Sequence, residues 1–137
     1  MPAKDVYHEI VKRALMKDGW VITHDPFILS LGKRNVYVDL GADLPIAAEK
    51  EGQRIAVEIK SFRGLSDMAN LESALGQFVL YRSLLAKDHP ERTLYLAITK
   101  ETFEGIFTEP FGQFVLHEHK LKLIVFEESQ EVIIKWI

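Results

Sequence analysis

The feature that most constrains the fold is a strand, a long helix and a second strand that follow one another in the middle of the chain. Residues 53–61 alternate apolar and polar side chains, as a β-strand with two different faces does. Residues 66–87 repeat apolar side chains near helical spacing, and residues 93–98 form an apolar strand. Because such a crossover is right-handed and makes its two strands parallel, the segment predicts an α/β fold.

The remaining pattern predicts a single domain over residues 1–137, with no internal repeat or long linker. A first helix over residues 4–18 is expected to end at Gly19, since glycine tolerates the left-handed conformation there. We expect a mixed sheet flanked by helices, with a C-terminal β-hairpin as an addition. The other strands are predicted at residues 20–23, 27–31, 36–40, 44–50, 121–126 and 131–136, with one or two short helices within 100–118.

Composition and charge exclude several classes of protein, among them disulfide-linked and membrane-spanning proteins. There is no cysteine, which excludes a disulfide framework, a zinc knuckle and a thiol nucleophile. No apolar run approaches the roughly 20 residues of a membrane span, and the first residues lack the layout of a secretory signal. We therefore expect a cytoplasmic protein without membrane contact. The net charge is −3, so binding to DNA by this chain alone should be weak.

Glu58 and Lys60 share one face of the strand at residues 53–61, and helices over both sides of the sheet would partly bury that face. A buried carboxylate or ammonium group is costly unless it is paired or used. If residues 51–52 form a two-residue turn, Asp43 pairs with Lys60 and lies diagonal to Glu58, roughly 7–8 Å away. Asp39 has the same parity but would need a bulge to approach.

Two carboxylates at that separation can share Mg²⁺ or Mn²⁺, hard cations that accept oxygen ligands. A divalent cation offsets charge on a phosphate and acidifies a water, while a nearby lysine orients or activates the nucleophile. The alternative interpretation is a cross-strand ion pair on a solvated face. Spacing alone does not favour one of these over the other.

The set Asp43 or Asp39, then Glu58-x-Lys60, on a hairpin between two helices resembles the PD-(D/E)xK nuclease superfamily. The resemblance implies a restriction-endonuclease-like core of helix, three strands, helix and strand, with a magnesium-dependent endonuclease site. The motif aspartate corresponds to Asp43 by register or to Asp39 by its Val-Asp-Leu setting, and the proline that often precedes it is absent. The superfamily often places a metal-binding carboxylate on the first helix, where Glu9 is the matching residue.

A subset of that superfamily carries Gln-x-x-x-Tyr on the helix after the motif strand, and Gln77 and Tyr81 match this pattern. Four residues apart on a helix, the two side chains share a face, so both can point to one site. The alternative is an ordinary polar edge of an amphipathic helix. The coincidence with Glu58-x-Lys60 makes the match more specific.

A longer resemblance covers nearly the whole chain. Lys17-Asp-Gly-Trp, Ile55-Ala-Val-Glu-Ile-Lys-Ser-Phe and Val132-Ile-Ile-Lys-Trp-Ile are among the segments that resemble the XisH family. That family is known as the fdxN-element excision controlling factors of cyanobacteria. The resemblance implies an accessory role in site-specific excision of a DNA element, beside a recombinase and a small companion protein usually called XisI.

Three functions remain open on this basis. The leading hypothesis is an XisH-type factor with a magnesium-dependent, nuclease-like site. A second is a non-catalytic module that binds DNA or the recombinase, and a third is a toxin-like or regulatory protein silenced by its companion. The intact Asp/Glu/Lys set favours an enzyme, whereas the net charge of −3 favours a protein that acts through a partner.

Overall fold

The structure, a computed structural model, describes residues 4–44, 52–64 and 66–137. The helices are α1 (His8–Lys17), α2 (Asp67–Asp88), α3 (Lys100–Glu104), a 3-10 helix (Ile106–Thr108) and α4 (Pro110–Glu118). The strands are β1 (Val21–His24), β2 (Phe27–Leu31), β3 (Arg34–Val38), β4 (Leu40–Leu44), β5 (Gln53–Ile59), β6 (Thr93–Thr99), β7 (Leu123–Glu127) and β8 (Val132–Trp136).

Six strands form one mixed sheet in the order β1-β4-β5-β6-β7-β8, and β2 and β3 form a separate hairpin. The predicted crossover is confirmed, because β5 and β6 are parallel neighbours and α2 connects them. Strands β6 and β7 are also parallel, whereas β7 and β8 form the predicted antiparallel C-terminal hairpin. The fold is therefore a mixed α/β sheet flanked by helices, as expected.

Two apolar clusters occupy the two faces of the sheet. On one face, α2, the 3-10 helix, α4 and the β2-β3 hairpin pack around Phe78 and Phe107, both fully buried. On the other face, Val11 and Leu15 of α1 pack with alternate side chains of β4 and β5. Because both faces are covered over residues 55–59 of β5, a polar side chain on either side of this part of the strand is withdrawn from water.

The predicted register of the hairpin between β4 and β5 is wrong. Asp43 pairs with Arg54 and Leu44 with Gln53, so Asp43 does not lie opposite Lys60. Strand registers follow the burial of apolar side chains, and this pairing places alternate residues of both strands in the cluster under α1. The proposed strand at 44–50 and the turn at 51–52 fall, except for residues 44 and 52, outside the described residues.

The segment predicted as one strand over residues 36–40 is divided at Asp39. Strand β3 ends at Val38 and β4 begins at Leu40, so the chain leaves the small hairpin and enters the large sheet at this aspartate. Both neighbours are fully buried, Val38 in the cluster under α2 and Leu40 in the cluster under α1. The bend therefore holds Asp39 between two anchored side chains.

The two long helices begin slightly later than predicted. Helix α1 starts at His8, and Val6, which falls within the predicted helix, is 58% exposed. Helix α2 is capped by Ser66, whose hydroxyl accepts a hydrogen bond from the backbone N–H of Ala69. No helix in the described ranges combines the length and apolar character that crossing a membrane requires.

Candidate metal centre

Two carboxyl side chains meet where β4 begins beside the end of β5. Leu40 pairs with Val57, which places Asp39 next to Glu58. The Oδ2 atom of Asp39 accepts a hydrogen bond from the backbone N–H of Ile59 over 2.7 Å. The Asp39 and Glu58 carboxyl groups lie close enough to shift each other's pKa. Of the two candidate aspartates, the structure brings Asp39 to Glu58.

The Glu58 carboxyl group is buried, with 6% of the residue exposed. Its Oε1 atom meets no hydrogen-bond donor among the described residues. Burial and the charge of Asp39 raise the pKa of Glu58 to about 9, against an opposing effect of Lys60. Burial also raises the pKa of Asp39, despite the hydrogen bond from Ile59 that favours its charged form.

Two adjacent carboxylates repel each other and offer only acceptors, so the pair is most stable with a proton on one of them. The raised pKa of Glu58 keeps that proton in place at neutral pH. A divalent cation can replace it, because the cation offsets both negative charges and accepts both oxygens. The donor set thus fits Mg²⁺ or Mn²⁺.

Lys60 follows β5 directly and is held by its backbone N–H, which donates to the carbonyl of Ala97 in β6 over 3.1 Å. Its Nζ atom lies 3.8 Å from Oε2 of Glu58, and a quarter of its side chain is exposed. This distance agrees with the predicted common face for Glu58 and Lys60. The ammonium group of Lys60 is more exposed than the Glu58 carboxyl group, so it can contact a ligand that approaches the carboxyl pair from solvent.

Asp43 lies elsewhere, in an ion-pair cluster at the far end of β4. Its Oδ1 atom is 3.2 Å from Nη2 of Arg92, and its Oδ2 atom is 3.8 Å from Nε of Arg54. Arg92 is itself buried and also donates to the carbonyl of Ile55. The two arginines offset the charge of the Asp43 carboxylate, although its Oδ1 atom makes no hydrogen bond among the described residues.

Tyr81 lies close enough to the Asp39–Glu58 pair for the charge of the pair to affect its pKa. Burial raises the pKa of the Tyr81 hydroxyl, and the charges of Glu58 and Asp39 raise it further. Gln77, one helical turn earlier in α2, is half-buried, and its Oε1 atom has no hydrogen-bond partner in the described part of the chain. Tyr81 therefore lies beside the pair, and Gln77 shares its face of α2.

Glu9, the predicted carboxylate of the first helix, is 53% exposed in its side chain and lies 3.5 Å from the ammonium group of Lys4. One oxygen of Glu9 falls within 4.8 Å of ligand atoms of His8 and Asp25. However, Asp25 also accepts a hydrogen bond from Nζ of Lys12 over 2.8 Å. The lysine makes this outer group less suitable for a cation than the Asp39–Glu58 pair.

His8 is a site residue that none of the sequence motifs includes. It is 3% exposed, its Nε2 atom lies 2.7 Å from Oδ1 of Asp25, and its Nδ1 atom lies 3.8 Å from Oδ1 of Asp39. The available signal was spacing, since His8 precedes the buried Val11 and Leu15 by three and seven residues on one helix face.

A cleft of about 600 Å³ opens just beyond Lys60. It lies at the carboxyl ends of the parallel strands β5 and β6, where α/β sheets commonly bind ligands. Arg63 supplies a cation there, and Ser61, Thr99 and Thr102 supply hydroxyl groups. The full lining consists of Tyr7, Ser61, Phe62, Arg63, Asp67, Thr99, Glu101, Thr102, Gly105 and Ile106.

Comparisons with known proteins give a consistent assignment. The model of the XisH protein family matches residues 1–134. The crystal structure of an XisH family protein from Nostoc punctiforme is 42% identical, with a TM-score of 0.86, over 97% of this chain and 99% of the other. That of an fdxN element excision controlling factor protein from Anabaena variabilis is 43% identical, with a TM-score of 0.87, over 98% and 99%. No curated protein matches. This chain belongs to the XisH family.

Proposed function

We propose that the protein is a restriction-endonuclease-like factor of PD-(D/E)xK type that acts on DNA phosphodiesters with Mg²⁺ or Mn²⁺. In this proposal Asp39 and Glu58 hold the cation and Lys60 acts on the nucleophile or the phosphate. The observation that carries the proposal is the meeting of Asp39 and the buried Glu58, 19 residues apart in sequence, beside Lys60.

Each residue contributes a separate action. When bound, the cation would supply charge stabilisation to a phosphate oxygen and acidify a water. Asp39 is oriented by the Ile59 N–H, which leaves its other oxygen, Oδ1, for a ligand. Lys60, with its ammonium group partly exposed, can orient the water or stabilise the negative charge of the phosphate. Gln77 and Tyr81 would support the site from α2.

The cleft beyond Lys60 supports a phosphate-bearing substrate. Arg63 and the neighbouring hydroxyl groups offer donors to phosphate oxygens, contacts that position a nucleic acid without reading its sequence. The chain as a whole carries a net charge of −3, so its affinity for DNA should be low without a partner. We therefore propose that the protein binds its DNA substrate together with partner proteins, which supply the affinity that this chain lacks.

The family supplies the biological setting of the proposal. The relative from Anabaena variabilis is named an fdxN element excision controlling factor. By extension, this protein would assist excision of a DNA element, together with a site-specific recombinase and an XisI-like companion. The alternative is a non-catalytic module that binds DNA or the recombinase, and the net charge of −3 favours action through a partner.

The test measures Mg²⁺ and Mn²⁺ binding by calorimetry, with plasmid and branched-DNA cleavage in parallel. Wild type is compared with Glu58→Ala, Asp39→Asn and Asp43→Asn. Asp43→Asn is the matched control, because it removes the same charge from the other candidate aspartate. We expect Glu58→Ala and Asp39→Asn to weaken cation binding by at least about tenfold, and Asp43→Asn to preserve it.

A fourth variant, Lys60→Ala, separates binding from chemistry. It should retain cation binding while cleavage falls by about 100-fold or more, as when a charge-stabilising group is removed. Cleavage unchanged in Lys60→Ala would contradict the proposed role of the lysine. Cation binding without cleavage of either DNA would favour the non-catalytic module.

A further inference from the structure

The imidazole ring of His8 is buried between two carboxylates. Its Nε2 atom is 2.7 Å from Oδ1 of Asp25, and its Nδ1 atom is 3.8 Å from Oδ1 of Asp39. The second distance is too long for a hydrogen bond, and Nδ1 has no hydrogen-bond partner among the described residues. A buried ring nitrogen of this kind is unusual, because nearly all buried polar atoms are paired.

Asp25 determines which ring nitrogen carries the proton in neutral His8. Asp25 accepts a hydrogen bond from the ammonium group of Lys12 over 2.8 Å and lies 2.7 Å from the Nε2 atom of His8. Asp25 is therefore a carboxylate that only accepts, and the Nε2 atom of His8 donates to it. In the neutral ring this leaves the lone pair on Nδ1, on the side of Asp39.

This geometry has a counterpart in metal sites. A histidine that binds a metal commonly donates its other ring N–H to a carboxylate, which fixes the tautomer and the orientation of the ring. Asp25 meets that description, and Lys12 in turn holds Asp25 through a 2.8 Å hydrogen bond. The nitrogen and oxygen atoms of two ligands on one cation, each about 2.1 Å from it, are separated by less than about 4.2 Å. The 3.8 Å between Nδ1 and Asp39 fits this limit.

We propose that His8 is a nitrogen ligand, through Nδ1, of the cation held by Asp39, with Asp25 as its positioning residue. The inference rests on the proposed metal centre and deepens it. Mg²⁺ prefers oxygen ligands, whereas imidazole suits first-row transition metals. The site therefore selects Mn²⁺ or a similar transition-metal ion over Mg²⁺. The family motif pointed to the neighbouring Glu9, which is exposed and paired with Lys4.

The nitrogen ligand can be detected directly by electron spin-echo envelope modulation spectroscopy on the Mn²⁺-loaded protein. We expect nitrogen modulation in wild type, and a change of its frequencies when the protein is made with ¹⁵N-labelled histidine. His8→Gln should lose the modulation and weaken Mn²⁺ binding by about tenfold or more, with a smaller effect on Mg²⁺. His117→Gln, at an exposed position in α4, is the control and should change neither.

The outcomes separate this inference from the proposed function. If Mn²⁺ binds and Glu58→Ala abolishes binding, but wild type shows no histidine nitrogen modulation, the metal centre stands and the role of His8 is overturned. Modulation that persists in His8→Gln also overturns it. If wild type binds no Mn²⁺, both proposals fail. The isotope comparison uses wild type alone, so it decides the matter even if His8→Gln does not fold.

Discussion

The carboxyl group of Glu58 is buried beside a second carboxyl group, an arrangement that opposes folding at neutral pH. Its charged form loses hydration, and the nearest cationic atom, Nζ of Lys60, stands at 3.8 Å rather than in a hydrogen bond. Groups with pKa values shifted by burial and a like charge concentrate at functional sites. At the scale of the residue, the burial of Glu58 lowers stability, and the proposed metal centre would explain why a carboxyl group stands there.

The raised pKa of Glu58 makes the stability of the metal-free protein depend on pH. The pKa is about 9 in the folded protein and ordinary in the unfolded chain, so its stabilising effect is complete below about pH 4.5 and is lost as pH rises towards 9. Glu58→Gln removes this loss. Between pH 5 and pH 9 in EDTA, the variant should gain at least about 1 kcal/mol over wild type in unfolding free energy.

Urea unfolding at a series of pH values measures this difference. Glu72→Gln, an exposed position in α2, serves as the control and should follow the wild-type pH profile. Parallel profiles for wild type and Glu58→Gln would show that the carboxyl pair does not hold its proton as described.

At the scale of the element, two helical glycines have opposite packing environments. Gly76 lies inside α2, and a Cβ atom there would meet nothing within 4 Å. Gly112 lies in α4, where a Cβ atom would overlap the backbone carbonyl of Ile106 in the 3-10 helix. Gly76 lowers the stability of α2, and no neighbouring atom requires a glycine there. Gly112, in contrast, permits the close approach of α4 to the 3-10 helix.

The two glycines predict opposite effects of the same substitution. Gly76→Ala should raise the free energy of unfolding by about 0.5–1 kcal/mol, because alanine restricts the unfolded chain and favours the helix. Gly112→Ala should lower it by about 2 kcal/mol or more, because α4 must move away from Ile106. Thermal and urea unfolding of the pair provide the measurement, and each variant is the control for the other. Equal shifts in the same direction would contradict the packing described for α4.

At the scale of the whole molecule, contacts with the C-terminal hairpin stabilise the position of α1. The ring of Trp20, after α1, stacks on that of Trp136 in β8 with centroids 5.5 Å apart. The guanidinium group of Arg13 in α1 donates to the carboxylate of Glu131, beside β8. The C-terminal hairpin therefore helps to hold α1, the helix that carries His8, against the sheet.

The tryptophan stack should appear as coupling between distant positions. A double-mutant cycle of Trp20→Leu and Trp136→Leu should give a coupling free energy of about 0.5–1.5 kcal/mol, the range for aromatic pairs. A cycle of Trp20→Leu with Ile134→Ala, at an exposed position of the same strand, should give almost none. Urea unfolding of the single and double variants measures both. Equal coupling in the two cycles would contradict a specific stack.

Much of the fold could be predicted because its signals are local. The crossover through α2 and the C-terminal hairpin follow from apolar spacing within short segments, and both are confirmed. The hairpin between β4 and β5 could not be predicted from a short turn. Its register depends on which side chains of β4 and β5 enter the cluster under α1, and that is a property of the packed sheet.

The same division holds for the candidate site. The sequence by itself determined that Glu58 and Lys60 share a strand face, because side chains alternate along a strand whatever its neighbours are. Only the tertiary structure decided that Asp39 rather than Asp43 joins them and that His8 lies beside Asp39. Those contacts join residues 19 and 31 positions apart, and they form only when strand pairing and helix docking bury apolar side chains from separate elements.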